Sequence, residues 1–140
     1  MTPIDASVRR VRLGNSKKDL LPIALGGSWY DKAASEAEIT AAMAAAFDGG
    51  VRHFDTASTY AGGRSEELLG AFLRGRRDAV FLAPKADPAE LTADAMLRAV
   101  EGSLRRLGVE QIDLYYIHWP RAGHDLRPRM EGLAQAQRDG

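Results

Sequence analysis

A strand-like segment followed by a helical pattern occurs four times along this chain of 140 residues. The strand-like segments, rich in apolar and β-branched residues, are residues 22–25, 51–55, 79–85 and 112–118. Helices are predicted from Ser35 to the Gly49–Gly50 pair, from about Ser65 to Leu73, from about Thr92 to Leu107, and from about Pro128 onward. Strands that alternate with helices form parallel sheets with right-handed crossovers, so residues 22–140 are predicted to form four βα units of an α/β fold.

A β-hairpin is predicted ahead of these units, over residues 8–24. Its arms, 8–13 and 19–24, flank the turn-forming sequence Gly14-Asn15-Ser16. A chain of this length buries one core, so residues 1–140 are expected to be a single domain.

The composition narrows the classes of partner. Nineteen basic residues balance nineteen acidic ones, which gives no reason to expect a nucleic acid or a charged membrane surface. The chain contains no cysteine, its apolar runs are too short to cross a bilayer, and its three histidines lack metal-ligand spacing. These features favour a cytoplasmic protein without a metal site.

Three polar residues end predicted strands: Asp55, Lys85 and His118. Because side chains alternate along a strand, each belongs to the largely inward-facing set of its strand. An open doubly wound sheet and part of an eight-stranded barrel both fit the βα pattern. No G-x-G-x-x-G or Walker sequence supports the nucleotide-binding open sheet. Barrel enzymes carry their chemistry at the C-terminal ends of the strands, so a portion of a barrel is favoured.

Several segments in one register resemble the aldo-keto reductase family. They are Gly50–Ala57 with Tyr60, the Gly62–Gly63 pair with Ser65–Gly70, the strand-end sequence Ile112–Pro120, and Leu25–Trp29. The resemblance implies a TIM-type (β/α)8 barrel, of which this chain is the N-terminal half and the hairpin is the bottom plug. It also implies NADP(H)-dependent interconversion of a small aldehyde, ketone or sugar and its alcohol.

The resemblance assigns catalytic roles to four residues. Tyr60 would donate a proton to the carbonyl oxygen, and Lys85 beside it would favour release of that proton. Asp55 would hold Lys85 charged, and His118 would orient the carbonyl by a hydrogen bond. By contrast, His53 is expected to be a hydrogen-bonded core residue.

The resemblance also indicates where the cofactor and the substrate would bind. Gly27, Ser28, Trp29 and Asp55 would border the nicotinamide, and Trp29 and Trp119 would wall the substrate pocket. In the family, most other contacts to NADP lie in the second half of the barrel. Pro84 precedes Lys85, at a position where the family usually has a small hydroxyl residue. The fixed φ of proline is expected to tilt the Lys85 side chain relative to Tyr60.

A different class of function fits the length of the chain. A complete barrel takes about 250 residues, so 140 residues leave open sheet edges and an inner face expected to be partly wetted at Ile23, Leu25, Phe81 and Leu114. The alternative is a non-catalytic half-barrel that forms a homodimer or associates with a complementing C-terminal half-barrel.

Overall fold

Parallel strands with helices between them make up the structure, a computed structural model that describes residues 8–32, 35–87, 89 and 91–140. The strands are β1 (Val11–Arg12), β2 (Asp19–Leu20), β3 (Ala24–Gly26), β4 (His53–Asp55), β5 (Phe81–Ala83), β6 (Lys85–Ala86) and β7 (Tyr116–Ile117). The helices are α1 (Glu36–Asp48), α2 (Arg64–Leu73), α3 (Ala93–Leu107) and α4 (Arg127–Asp139). Short 3-10 turns cover Tyr30–Lys32, Tyr60–Gly63 and Arg77–Ala79.

The strands form three ladders. β3, β4 and β5 lie side by side in parallel, with Gly26, Asp55 and Ala83 in register. β6 and β7 form a second parallel ladder that pairs Lys85 with Tyr116. The α/β class and its parallel βα units are therefore confirmed.

Pro84 divides the strand that the sequence predicted over residues 79–85. The ladder with β4 ends at Ala83, and a separate ladder with β7 begins at Lys85; Pro84 between them has no N–H to donate. The Pro84 carbonyl still accepts from the Tyr116 amide at 3.0 Å, so the chain keeps its direction across the break. The prediction of one continuous strand was wrong at this residue, and the fourth strand is likewise shorter than predicted, with only Tyr116–Ile117 in the ladder.

Side-chain caps begin two of the helices where the sequence indicated. The Ser35 hydroxyl accepts from the Glu38 amide at 3.2 Å, and the Thr92 hydroxyl accepts from the Ala95 amide at 3.1 Å. Gly108 ends α3 with φ +62°, a conformation that suits glycine.

The N-terminal hairpin is tied to the sheet through a partly buried carboxylate, that of Asp113. β1 and β2 pair antiparallel, and Lys18 between them donates to Asp113 at 2.8 Å. Asp113 also accepts from Arg77 at 2.8 Å and from the Leu82 amide at 2.9 Å. The hairpin is therefore anchored at the start of β5.

The main core lies between the helices and the sheet. Its buried members are Tyr30, Ile39, Met43, Phe54, Leu69, Phe72, Leu73, Val80, Leu82 and Leu107. A smaller cluster on the other side of the sheet joins Leu20, Phe81, Ala83 and Leu114. Phe81 is only 2% exposed because the hairpin residue Leu20 packs near it, so the expectation that Phe81 would be wetted was wrong. Ile23 is 53% exposed, as expected.

Candidate active site

Lys85 lies at the centre of a cluster of polar side chains at the C-terminal ends of the strands. Its ammonium pairs with the Asp55 carboxylate and donates to the Thr56 carbonyl at 3.1 Å. The Tyr60 hydroxyl is 3.3 Å from the same nitrogen. The break at Pro84 therefore leaves the Lys85 ammonium within hydrogen-bond distance of Tyr60.

A left-handed turn carries Tyr60 from β4 to α2. Three successive residues have positive φ angles: Ala61 at 48°, Gly62 at 62° and Gly63 at 94°. Glycine adopts this conformation freely, whereas at Ala61 it costs energy. The Tyr60 amide donates to the Ala57 carbonyl at 3.1 Å, which begins the turn.

His118 faces Tyr60 from the end of β7. Their rings meet edge to face with centroids 5.5 Å apart, and the His118 Nδ1 lies 3.4 Å from the Thr59 hydroxyl. Burial lowers the pKa of His118, and the positive charge of Lys85 lowers it further. The imidazole is therefore neutral at pH 7.

His53 lies one step deeper on the same face of β4 as Asp55. Its ring packs edge to face against Phe81 with centroids 5.2 Å apart, and burial is the main cause that lowers its pKa. Its buried Nε2 has no hydrogen-bond partner among the described residues, contrary to the hydrogen-bonded core residue expected from the sequence.

A cavity of about 400 Å³ opens above this cluster. Its lining consists of Asp55, Tyr60, Lys85, Tyr116, Ile117, His118, Trp119 and Pro120. Trp119 is 70% exposed and has a φ of +49°, which is unusual for a bulky residue. Trp29 lies outside this lining and packs edge to face on Tyr30, with centroids 4.9 Å apart. Of the two tryptophans predicted to wall the pocket, the structure places Trp119 at the cavity.

The loop after β3 lies against Asp55 through its first residue. The Gly27 amide donates to the Asp55 carbonyl at 2.9 Å, while the next residue, Ser28, is exposed. The structure thus places Gly27 beside the backbone of Asp55, although neither Gly27 nor Ser28 lines the cavity.

Two buried hydroxyls, to which the sequence analysis gave no role in the site, connect α2 to the loops after β3 and β4. The Thr56 and Ser65 hydroxyls are 2.8 Å apart, and Ser65 also donates to the Gly27 carbonyl at 3.3 Å. Both residues are fully buried. The available signal was their position, because Thr56 directly follows Asp55 and Ser65 begins the segment after the Gly62–Gly63 pair.

Comparison with known families identifies the chain. The sequence pattern of the aldo/keto reductase family matches residues 22–140. The chain belongs to the aldo/keto reductase family. Among the residues that the structure describes, no helix is long and apolar enough to cross a membrane.

The chain spans less than half the length of the curated family members that it resembles. It is 38% identical to the methylglyoxal reductase of Escherichia coli (strain K12) over 101 residues, which are 71% of this chain and 36% of that protein. It is 35% identical to a D-galacturonate reductase of Fragaria ananassa over 127 residues, which are 86% of this chain and 40% of that protein.

Solved structures of the family share this fold. An aldo-keto reductase of Klebsiella pneumoniae in complex with NADPH superposes with a TM-score of 0.82 at 36% identity, covering 94% of this chain and 46% of that one. The thermostable aldo-keto reductase Tm1743, in complex with the inhibitor epalrestat, superposes with a TM-score of 0.83 at 31% identity, covering 94% and 50%. The predicted portion of a (β/α)8 barrel is thereby confirmed.

Proposed function

We propose that this chain carries the catalytic residues of an NADP(H)-dependent reductase that interconverts a small aldehyde or ketone and its alcohol. The observation that carries the proposal is the contact between the Tyr60 hydroxyl and the Lys85 ammonium at 3.3 Å, at the edge of the cavity. A phenol held beside a cation in a partly dry site is a suitable proton donor for a carbonyl oxygen.

Three residues handle the proton in this proposal. Tyr60 gives its phenolic proton to the carbonyl oxygen, and the positive charge of Lys85 stabilises the phenolate that remains. Asp55 pairs with the Lys85 ammonium, whose side chain is only 14% exposed, and so offsets the cost of burying that charge. The Thr56 carbonyl directs the ammonium toward Tyr60.

His118 orients the carbonyl group of the substrate. The Thr59 hydroxyl, 3.4 Å from Nδ1, can donate to that nitrogen of the neutral ring. The proton of the ring then resides on Nε2, which donates to the carbonyl oxygen. This hydrogen bond fixes the oxygen near Tyr60 and polarises the carbon for reduction.

The residues around Asp55 fit the nicotinamide end of the cofactor. A cavity of about 400 Å³ is within the size range of small-molecule sites and has room for a nicotinamide ring and a small carbonyl compound. Within this cavity Asp55 would border the ring, which supplies the hydride when NADPH is bound, whereas Gly27, Ser28 and Trp29 lie outside the lining and would meet the cofactor only beyond the cavity. The complex of the similar Klebsiella pneumoniae reductase with NADPH supports this choice of cofactor.

The cavity favours compact substrates with an exposed carbonyl. Tyr116, Ile117, Trp119 and Pro120 give it a largely apolar wall opposite the polar cluster. Two similar family members are named for the reduction of methylglyoxal and D-galacturonate. These two compounds are therefore the first substrates to assay.

The replacement Tyr60→Phe tests the proposal. It removes the proton donor while leaving the ring, so kcat is expected to fall by about 100-fold or more while NADPH still binds. Binding is measured by titration of nicotinamide fluorescence, and turnover by loss of nicotinamide absorbance with methylglyoxal. Tyr115→Phe is the matched control, because the Tyr115 hydroxyl contacts Ser103 at 2.9 Å and is outside the cavity lining. Turnover by Tyr60→Phe equal to that of the unaltered chain would disprove the assignment.

A second candidate function is association through the open side of the sheet. Within the described residues β3 pairs with β4 alone, and the adjacent Ile23 is 53% exposed. An open edge beside an apolar side chain favours pairing with a second copy or with a complementing half-barrel. Analytical ultracentrifugation of the purified chain tests the self-association, and a folded monomer at high concentration would exclude the homodimer.

A further inference from the structure

A buried ion pair joins α2 to α3 beside the turn that carries Tyr60. Glu66 is fully buried, and Arg106 donates from Nε to its Oε2 at 2.6 Å. The Arg106 side chain is 32% exposed, whereas the Glu66 side chain is 0% exposed, so solvent reaches only the arginine side of the pair. A buried carboxylate is stable only when it is paired, which makes Arg106 the partner that Glu66 requires.

Arg106 also lies directly against the left-handed turn. A Cβ placed on Gly63 would be 3.1 Å from Cδ and 3.4 Å from Nε of Arg106. Gly63 is the last residue of the turn and the N-cap of α2, and its φ is +94°. The aliphatic part of Arg106 therefore covers the end of the turn from α3, while Glu66 in the first turn of α2 fixes the guanidinium.

The turn needs such support from outside itself. Ala61 adopts a left-handed conformation with a φ of 48°, which is unfavourable for alanine and must be imposed by the surrounding structure. The turn begins at Ala61, the residue that directly follows Tyr60. Any relaxation of the turn therefore moves the Tyr60 phenol.

We propose that Glu66 and Arg106 are positioning residues for Tyr60. The ion pair holds the Ala61–Gly63 turn in its left-handed conformation. The turn then keeps the Tyr60 ring against His118 and the Tyr60 hydroxyl beside Lys85. The proposal rests on the proton-donor role proposed for Tyr60. Neither Glu66 nor Arg106 lines the cavity, so both act through the turn.

The test compares Arg106→Met with its neighbour variant Arg105→Met. Methionine keeps an apolar stem near Gly63 but leaves Glu66 without its cation. Arg105 is a matched control because its side chain is 72% exposed and pairs at 3.7 Å with Glu101, which is itself on the surface. The first readout is the NMR cross-peak between the ring protons of Tyr60 and His118, whose centroids are 5.5 Å apart.

In Arg106→Met this cross-peak is expected to weaken or disappear, while a core cross-peak between Phe47 and Phe72 persists. Arg105→Met should leave both unchanged. Where the chain turns over substrate, kcat per folded molecule should fall about 10-fold to 100-fold with the KM for NADPH unchanged, since misplacement of a catalytic group by about 1 Å has effects of that size. A residue with a merely structural role would lower the folded fraction without this change in kcat.

A second variant covers the case in which Arg106→Met does not fold. Glu66→Gln keeps the shape of the side chain and an oxygen that accepts from Arg106, and it should weaken the Tyr60–His118 cross-peak in a folded protein. An unchanged cross-peak in the folded variant would overturn the proposal. If Tyr60→Phe instead retains full turnover, the proton-donor role fails, and the cross-peak still decides whether the ion pair positions the ring.

Discussion

Replacing Gly27 by alanine places a methyl group where the structure holds a hydroxyl. The new Cβ would lie well inside 3.0 Å of the Ser65 Oγ, whereas the next nearest atoms are Tyr30 Cε2 at 3.3 Å and the Asp55 carbonyl oxygen at 3.4 Å. The backbone φ of Gly27 is outside the left-handed region, so the effect is one of space alone. Only the Ser65 hydroxyl must move substantially, by about 1 Å.

The expected cost follows from what that movement disrupts. Overpacking costs about 1–3 kcal/mol, and loss of the Ser65 hydrogen bond to the Gly27 carbonyl adds about 1 kcal/mol. Gly27→Ala should therefore lower the free energy of unfolding by about 2–4 kcal/mol. Ser65→Ala removes the same hydrogen bond and deprives the Thr56 hydroxyl of a partner, at a cost of about 1–2 kcal/mol.

The double variant Gly27→Ala with Ser65→Ala tests whether the steric conflict with the Ser65 hydroxyl causes the loss of stability. Removing the Ser65 hydroxyl leaves room for the new methyl group. The double variant should therefore be at most about 1 kcal/mol less stable than Ser65→Ala. The two changes should thus couple by at least about 1 kcal/mol in the direction of rescue. Urea unfolding of the four proteins, followed by circular dichroism, measures the coupling from the midpoints. Simple additivity of the two losses would refute the steric argument.

Three further predictions concern packing, the hairpin anchor and pH. Gly70→Ala should destabilise the protein by about 2 kcal/mol or more in urea unfolding, because a Cβ there would lie 2.6 Å from the carbonyl carbon of Leu107, and only unchanged stability would contradict this. Asp113→Asn should lower the unfolding midpoint by the equivalent of about 1–3 kcal/mol, since the carboxylate is 17% exposed and loses its charge toward two cations; a midpoint equal to that of the unaltered chain would show that the anchor contributes nothing. The folded-state pKa of His118 is below its ordinary value of about 6.5, so the unfolded chain binds more protons and stability should fall as the pH drops below about 6.5. His118→Gln should flatten that dependence between pH 7 and 5, and His53 adds a dependence of the same sign that remains in the variant.

The helices could be read closely from the sequence because their ends depend on local contacts. The Ser35 and Thr92 hydroxyls cap helices within three residues of themselves, and a glycine follows α3 at position 108. The strands were less predictable, since their length depends on partners elsewhere. Pro84 interrupts its strand, and only two residues of the segment 112–118 join a ladder.

The candidate site shows the same division. Side-chain alternation brought Asp55 and Lys85 to one end of the sheet, and their contact is present in the structure. The pair of Glu66 and Arg106 escaped notice because 40 residues separate its members and only the packing of α2 on α3 brings them together. The positive φ of Ala61 was equally hidden, since alanine gives no local signal for it.

The contact of Lys85 with Asp55, Thr56 and Tyr60 has a consequence for how this chemistry can be moved between proteins. All four residues lie within positions 55–85, which run from the end of β4 through α2 and β5 to the start of β6. The proposed proton donor and the cation that assists it therefore form one contiguous cassette, which a single genetic exchange could transplant into another barrel. His118 is encoded one βα unit later, and Arg106, the proposed support of the Tyr60 turn, lies on α3. A recipient must therefore supply a strand-end histidine and a cation in the place of Arg106 to rebuild the cluster.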